Sequence, residues 1–296
     1  MKFVNFKIED KKLIGVLAND ENKIIVLNDL YADKTFCCMQ DVIEQLNEDD
    51  IKDIQTKLDD ENNNFKSYKL SEVKLLSPIE RPIHDILCVG VNYQAHLEEA
   101  SERAKNFKKT GNDAVYFGKR AIKIIGTNED VQACLDIDNA LDYEVELAVI
   151  IGKTGKNIPV DKVEDYIFGY SIFNDFSSRR LQLKHMQWFK GKSLDTYSAM
   201  GPVILHKSAL PFPVEVDIKC SVNGELRQNS NTKLFFDPVC FCAMTSVILF
   251  FQILFAKCND KYFSGRFVYL ANFDGNNVDE FVTITVFSGN KSAIFL

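Results

Sequence analysis

Alternating apolar and polar positions near the start of the chain predict a β-meander. Three short apolar runs are separated by polar stretches that suit turns. The predicted strands are 3–8, 13–17 and 23–27, and the predicted helices are 39–46 and 50–58. A polar stretch at 59–64 then interrupts the pattern. Residues 1–70 are therefore predicted to form a small N-terminal β-rich domain.

The rest of the chain, residues 76–296, shows more strand patterns than helix patterns. The predicted strands are 86–90, 143–151, 168–173 and 214–222, and the predicted helical segments are 93–104, 161–166 and 177–186. These elements do not alternate regularly, so a Rossmann-type sheet is not expected. The fold class predicted from the pattern is α+β and rich in β-structure.

Composition and charge narrow the function classes. The 296 residues are 46% hydrophobic and 26% charged, as in globular proteins, and the formal net charge is −7. An acidic chain without a concentrated basic face is a poor nucleic-acid binder. The short basic stretches at 105–109 and 119–123 are interpreted as solvated surface.

Cysteine usage and the N-terminus predict a cytoplasmic protein. The eight cysteines include no CxxC pair, and most lie in apolar surroundings, as expected for buried thiols in a reducing compartment. The first residues carry charges where a signal peptide needs an apolar core.

Gly152-Lys-Thr is not a phosphate loop, because Leu147 stands where that motif needs glycine. With no GxGxxG string either, no nicotinamide or flavin cofactor is expected.

Two glutamates inside an apolar strand pattern are the leading candidates for chemistry. Glu144 and Glu146 are two residues apart, so on a strand they point to the same face. Asp175 follows another apolar segment. Buried like charges repel, and a hard divalent cation relieves that repulsion. Spacing alone leaves open the alternative that the glutamates face solvent beside basic cross-strand partners.

A histidine and a lysine are further candidates. His96 and Glu99 are three residues apart on a predicted helix, where a carboxylate can orient an imidazole and raise its basicity. A capping or packing histidine is the competing interpretation. Lys192, in Gly-Lys-Ser-Leu-Asp195, is better explained from the residues alone as an ordinary surface lysine.

Several strings, in order, resemble the fumarylacetoacetate hydrolase family. They are LSPIERP (76–82), ILCVGVNYQAH (86–96), YFGKRA (116–121), DYEVELAVIIGKTGKNI (142–158), FGYSIFNDFSSRRLQ (168–182), GKSLDTYSAMGP (191–202) and VNGELRQ (222–228). The resemblance implies a mixed β-sandwich roll after a small N-terminal domain, and a homodimer. The domain division expected is 1–70 and 76–296.

The resemblance also implies roles for particular residues. Metal ligands for Mg²⁺ or Mn²⁺ would be Glu144, Glu146 and Asp175. His96 and Glu99 would form a dyad that activates water, and Lys192 would stabilise anionic intermediates or bind the substrate carboxylate. The substrate-binding positions would be Arg179 and Gln182, although Arg180 replaces the acid usual after that arginine.

The implied activity is that of a hydrolase or lyase acting on 2-oxo acids or 1,3-diketo acids. The reactions of the family are C–C hydrolysis of acylpyruvates or fumarylacetoacetate, decarboxylation of oxaloacetate-like acids and isomerisation of hydroxymuconate-type acids. All of them share an enolate stabilised by the metal.

The resemblance stops in the tail, residues 232–296. This segment lacks the Thr-Gly-Thr-Pro substrate loop and carries 12 of the 23 phenylalanines. The tail has diverged within the same fold, has been replaced, or is an out-of-frame translation product. The alternative function that follows is a catalytically impaired relative that binds metal and 2-oxo acids without turnover.

One apolar run in the tail, 239–256, reaches the minimum length of a membrane span. Polar residues within it and the absence of flanking aromatic and basic residues argue against a span, and the resemblance, which implies a helix at this place, favours a buried core helix. Residues 281–287 alternate and predict a final strand.

Overall fold

Two β-sheets carry most of the chain. The computed structural model describes residues 1–60, 64–90, 115–134, 136–137, 139–184 and 187–234, and the backbone of three strands at 249–252, 267–273 and 282–286. The strands of the larger sheet are β1 Lys2–Ile8, β2 Lys11–Leu17, β3 Lys23–Val26, β4 Ser67–Lys69, β5 Lys74–Leu75, β6 Ile86–Gly90, β7 Val115–Lys119, β10 Val145–Ile151, β11 Ile167–Asp175, β13 Ser198–Met200, β14 Ile204–His206 and β17 Leu249–Gln252.

The second sheet has five strands in the described part of the chain, in the order β16, β15, β19, β18, β8. Its strands are β8 Asp130–Val131, β15 Asp217–Val222, β16 Glu225–Asn231, β18 Phe267–Phe273 and β19 Val282–Val286. A short pair is formed by β9 Leu141–Asp142 and β12 Ser177–Ser178. The α-helices are α1 Met39–Gln45, α2 Glu48–Asp59, α3 Arg179–Lys184 and α4 Phe189–Lys192, and the 3₁₀ helices are Leu27–Asp29, Leu70–Glu72, Val160–Tyr166, Lys207–Ala209 and Thr232–Leu234.

The N-terminal strands continue the large sheet, whose main path runs β4, β3, β2, β1, β14, β11, β10, β17, β6, β7. The predicted meander is confirmed by β1, β2 and β3. Strand β1 pairs antiparallel with β14, with Phe3 opposite Ile204, so backbone hydrogen bonds join the first residues to the central strands. The division at residues 70–76 stays a prediction.

The local sequence sets the start of helix α2. The Asn47 side chain accepts hydrogen bonds from the N–H groups of Asp49 and Asp50, and the Asp50 carboxylate binds back to the N–H of Asn47. Such a reciprocal cap satisfies N–H groups that the first helical turn leaves without partners. Ile51 and Ile54 then face the core, so the helix is fixed at its start and along one side.

Strand β10 separates two hydrophobic cores. Val145, Leu147 and Val149 belong to a cluster that includes the inward residues of β15. Ala148 and Ile150, on the other face, belong to a cluster shared with β1, β6 and the N-terminal helices. Because side chains alternate along a strand, Glu144 and Glu146 share the face of Ala148 and Ile150.

Most predicted elements of the main region are present, with shifted bounds. The strand predicted at 168–173 is β11, the one at 143–151 is β10, and the helix predicted at 177–186 begins only at Arg179 because Ser177 and Ser178 form β12. The helix predicted at 93–104 lies outside the described residues. Two cysteines differ from the expectation of burial, because Cys37 and Cys38 are exposed.

The tail gives one confirmation and one correction. The predicted final strand is confirmed by β19. The predicted core helix at 239–256 is wrong for Leu249–Gln252, which form β17 between β10 and β6; the rest of that range lies outside the described residues. An apolar run without a strict period suits a central strand as well as a buried helix, and Leu249–Gln252 find backbone partners on both sides. Among the described residues, no helix is long and apolar enough to cross a membrane.

Candidate active site

The pairing of β10 with β11 brings acidic residues to one face of the sheet. Val145 is opposite Asn174 and Glu146 is opposite Phe173 in the antiparallel register. The N–H of Asp175 donates to the carbonyl of Glu144 at 2.8 Å, so these two residues face each other across the strand end. Residues directly opposite in an antiparallel pair project to the same side. The three predicted carboxylates therefore share one face, and all are buried.

Lys192 lies between two of these carboxylates. Its Nζ is 2.6 Å and 2.7 Å from the two oxygens of Glu144 and 2.7 Å from Oδ2 of Asp175. The same ammonium lies 5.3 Å from the centre of the Phe117 ring. Lys192 is fully buried, so the surface interpretation left open by the sequence is wrong.

A close approach between two helices sets the position of Lys192. The residue before it, Gly191, packs against the start of α3. A Cβ at Gly191 would lie 2.6 Å from the backbone nitrogen of Gln182 and 2.8 Å from the carbonyl oxygen of Ser178. Only glycine allows this distance, so α4 can rest directly on the junction of β12 and α3.

Lys119 is a site residue that the sequence interpretation missed. It was assigned to a solvated basic stretch, but its side chain is fully buried. Its Nζ is 2.6 Å from Oδ1 of Asp175, and it donates to the carbonyl oxygens of Phe176, at 3.0 Å, and of Lys192. The correction has a physical reason: Lys119 is the last residue of β7 and points inward, whereas Arg120 and Lys123 beyond the strand end are exposed.

Arg179 joins the acidic residues at the other side of the site. Its Nε is 2.8 Å from Oδ2 of Asp142, its Nη1 is 2.6 Å from Oε1 of Glu144, and Nη1 also donates to Oε1 of Gln182 at 2.9 Å. Ser177 Oγ donates to Oε1 of Glu144 at 2.8 Å. Asp142 and Ser177 were not singled out from the sequence.

Glu146 is fully buried on the same face of the sheet. Burial, followed by the charges of Asp175 and Glu146, raises the pKa of Cys88. Within the described ranges, no three His, Cys, Asp or Glu side chains are close enough together to surround a metal ion in this arrangement. Glu144 and Asp175 are instead brought together around the Lys192 ammonium.

Burial and pairing compete in setting the protonation states. Burial raises the pKa of Glu144, but Lys192 and Arg179 outweigh it and lower the value to about 2. Burial lowers the pKa of Lys192, but Asp175 and Glu144 raise it above its usual range. For Lys119, burial dominates and lowers the pKa despite Asp175. Glu144 and Lys192 are therefore both charged near neutral pH.

The buried charges nearly balance. Among the described residues, three buried carboxylates (Glu144, Glu146, Asp175) stand against two buried lysines (Lys119, Lys192), and the partly buried ion pair of Asp142 with Arg179 lies beside them. The surplus is one negative charge. All the acidic donors are hard oxygen atoms, the type that Mg²⁺ and Mn²⁺ prefer. By donor type, although not by the spacing of the described side chains, these residues suit a divalent cation, which would leave the site with a net positive charge that attracts an anion.

The predicted site residues fall into three groups, one of which is Glu146 alone, buried on the same face of the sheet. Glu144, Asp175, Arg179, Gln182 and Lys192 are joined by direct contacts. His96 and Glu99 lie outside the described residues. The buried Lys119 had a signal in the sequence, because it closes the string YFGK, in which an apolar strand runs directly into the lysine.

Comparisons with known proteins assign the chain to a class and then to a family. The two-sheet fold with its buried carboxylate–lysine cluster places the chain in the β-rich α+β class. The family model described as "Fumarylacetoacetate (FAA) hydrolase C-terminal" matches residues 85–246. The chain belongs to the fumarylacetoacetate hydrolase family.

Relatives and solved structures agree with this assignment. The chain is 36% identical over 243 residues to oxaloacetate tautomerase YisK of Bacillus subtilis, which covers 78% of both chains. It resembles a fumarylacetoacetate hydrolase from psychrophilic Exiguobacterium antarcticum with a TM-score of 0.69 at 28% identity, covering 91% of this chain and 94% of that one. A maleylpyruvate hydrolase from Sphingobium sp. SYK-6, solved with manganese (II) and pyruvate, shares the fold with a TM-score of 0.68 at 22% identity, covering 98% and 100%.

Proposed function

We propose that the protein is a divalent-metal-dependent enzyme acting on small 2-oxo acids or 1,3-diketo acids. The observation that carries the proposal is the convergence of Glu144 and Asp175 on one cationic atom, the Lys192 Nζ, in a fully buried site. An ammonium within 2.7 Å of both carboxylates marks a point where the surrounding residues stabilise positive charge.

The metal ligands in this proposal are Glu144, Glu146 and Asp175. Three oxygen donors on one sheet face suit Mg²⁺ or Mn²⁺ and leave coordination positions for substrate. When bound, such a cation polarises the keto group of a 2-oxo acid and makes the neighbouring C–H more acidic. Membership of the family supports this assignment, as does the excess of buried carboxylates over cations.

The chain's own residues then have separate tasks. Lys192 balances the negative charge that develops on the substrate oxygen or binds the substrate carboxylate. Arg179 and Gln182 bind substrate, and the contacts of Arg179 with Asp142 and Glu144 also hold Glu144 in place. His96 and Glu99, whose roles rest on the family resemblance, move a proton and orient water in hydrolysis.

The reaction type follows from a common first step. Hydrolysis, decarboxylation and isomerisation of these acids all place negative charge on an oxygen next to a developing carbanion. The relative at 36% identity is named an oxaloacetate tautomerase, so enol–keto conversion of an oxaloacetate-like dicarboxylic acid is the first activity to test. A homodimeric state and a cytoplasmic location stay predictions.

The test compares metal-free and metal-loaded protein. After EDTA treatment, Mn²⁺ or Mg²⁺ is added back and the enol absorbance of oxaloacetate is followed; acylpyruvates are screened in parallel. We expect turnover only with metal, and binding of Mn²⁺ weakened by at least about tenfold in Glu146→Gln. Glu225→Gln, at a side chain that is 66% exposed, is the matched control and should behave as wild type. Metal-independent turnover, or full Mn²⁺ affinity in Glu146→Gln, would contradict the proposal.

A second candidate function is binding without turnover. The tail lacks the Thr-Gly-Thr-Pro string of the substrate loop, which favours a catalytically impaired relative that still binds metal and 2-oxo acids. Oxalate, a chelating mimic of a 2-oxo acid, should raise the melting temperature of the metal-loaded protein under both hypotheses. Turnover separates them: His96→Ala abolishes hydrolysis in an active enzyme and changes nothing in an impaired one.

A further inference from the structure

A side chain from the second sheet holds the strand that carries Glu144 and Glu146. Gln228 lies on β16, is 2% exposed, and accepts a hydrogen bond of 2.9 Å at Oε1 from the backbone N–H of Val145. Val145 stands between the two glutamates, and its side chain points to the opposite face of β10. The contact therefore fixes the peptide segment from which both carboxylates project.

Strands β11 and β17 provide the partners of the neighbouring groups of this segment. On the β11 side, the carbonyl of Glu144 accepts from the N–H of Asp175 at 2.8 Å. On the other side, β17 pairs with β10 from Glu146 onward. Val145 is the residue just before that pairing begins, so its N–H has no partner from the described part of β17. Gln228 binds it at the place where the described part of β17 ends.

The surroundings of Gln228 make this contact specific. The inward residues of the neighbouring strand β15 are Ile218, Cys220 and Val222, all buried. An amide placed in such an apolar layer costs several kcal/mol unless it is hydrogen-bonded. Ser230, two residues further along β16, is also inward and buried, but its hydroxyl has no hydrogen-bond partner within the described residues. The two side chains differ in whether they bind the glutamate-bearing strand.

We infer that Gln228 is a positioning residue for the carboxylates of Glu144 and Glu146, acting through the backbone of Val145. The inference rests on the proposed function, in which these carboxylates hold a divalent cation. Metal ligands need closely fixed positions, and loss of a group that orients them typically weakens metal binding by about 10- to 100-fold. Through Gln228, the second sheet thus influences how tightly the carboxylates of the first sheet bind the metal.

The test measures Mn²⁺ binding by calorimetry on the EDTA-treated full-length protein. Gln228→Met removes the acceptor at similar size, and Gln228→Asn keeps the amide but shortens the side chain by one methylene. Both variants should raise the Mn²⁺ dissociation constant by about 10- to 100-fold. Ser230→Ala is the matched control on the same strand and face, and its dissociation constant should stay within about twofold of wild type. Melting temperatures are recorded for every variant.

The outcomes separate this inference from the proposed function. Folded Gln228 variants that melt lower but bind Mn²⁺ like wild type would show a purely structural role and overturn the inference. Equal weakening in Ser230→Ala would also overturn it. If Gln228→Met does not fold, Gln228→Asn decides the question by the same criterion. Wild-type protein that binds no Mn²⁺ contradicts the proposed function itself, whereas wild-type binding with unaffected Gln228 variants contradicts the positioning role alone.

Discussion

In strand order the large sheet has two ends, β4 to β1 on one side and β11 to β7 on the other, and they differ in what they bury. In the N-terminal strands, apolar side chains such as Phe3 and Phe6 are fully buried, and charged groups such as Lys12 stay at the rim. At the end of β10 and β11, the sheet buries carboxylates and lysines together. Burial of apolar side chains stabilises a fold directly. A buried ion pair adds little net stability, because both charges lose their hydration. The buried charges at the ionic end are therefore better explained by a chemical function, and the apolar end by its contribution to the stability of the fold.

The largest effect that would test this comparison is expected at Lys119. Lys119→Met keeps most of the volume but removes the ammonium that contacts Asp175 and two backbone carbonyl oxygens. Removal of one partner leaves a buried charge with less compensation, so the free energy of unfolding should fall by about 4 kcal/mol. Denaturant unfolding measures this value.

Lys123→Met is the control for that prediction. Lys123 lies four residues further along, is 50% exposed, and pairs with Glu129 at 3.0 Å. Its replacement should change stability by less than about 0.5 kcal/mol. Equal losses in the two variants would mean that burial of Lys119 has no energetic consequence, and the contrast between the two ends of the sheet would fail.

The same pair of lysines shows how far sequence reasoning reaches. Lys119 and Lys123 belong to one short basic stretch, and composition cannot separate them. Their difference arises from β7 pairing with β6 in a register that ends at Lys119 and turns its side chain inward. The carboxylates were predictable because alternation fixes the face of Glu144 and Glu146 locally. Partners that arrive from distant strands, such as Lys119 and Gln228, depend on tertiary register and were missed.

The tail shows a second limit of predicting structure from sequence. A mostly apolar run at 239–256 has no strict period, and a core helix is expected there because the family that the chain resembles has a helix at that place. Four of its residues form β17 because β10 and β6 both offer backbone partners there. The alternating pattern at 281–287, in contrast, correctly predicted β19, since a period of two is specific for strands.

At the apolar end, Phe3→Ala should reduce stability without touching the site. Phe3 is fully buried, and its ring centre lies 5.4 Å from that of Phe168 and 6.5 Å from that of His206. Truncation leaves a cavity and should lower the free energy of unfolding by about 3 kcal/mol. Below the melting transition, Mn²⁺ affinity should match wild type. Calorimetry that instead shows weakened Mn²⁺ binding would mean that the two ends of the sheet are coupled.

A smaller effect should appear when pH is lowered, through His206. Burial, with smaller contributions from Lys207 and the N-terminus, lowers the pKa of His206 to about 4, from 6.5 in an unfolded chain. Its Nδ1 accepts a hydrogen bond from the N–H of Ser208 at 3.3 Å, which requires the neutral ring. The unfolded state binds the proton more readily, so this contribution to stability is complete above pH 6.5 and is lost as pH falls towards 4. The loss should be on the order of 2 kcal/mol.

His206→Asn isolates that contribution. Asparagine also caps helix starts, so it can replace the contact with Ser208, but it does not titrate. Unfolding free energies measured between pH 7 and pH 4 should therefore decline less steeply in the variant than in wild type. Parallel curves for the two proteins would show that His206 does not contribute to the pH dependence.

The smallest effect is expected at the rim of the N-terminal strands. Lys12 Nζ lies 2.6 Å from Oε2 of Glu80, with side chains that are 59% and 21% exposed. Water and salt screen such a pair, so Lys12→Ala should cost less than about 1 kcal/mol, and the cost should shrink as ionic strength rises. Urea unfolding of wild type and variant at low and high salt measures both quantities. A loss as large as that of Lys119→Met would remove the distinction between surface and buried charges on which the comparison of the two ends depends.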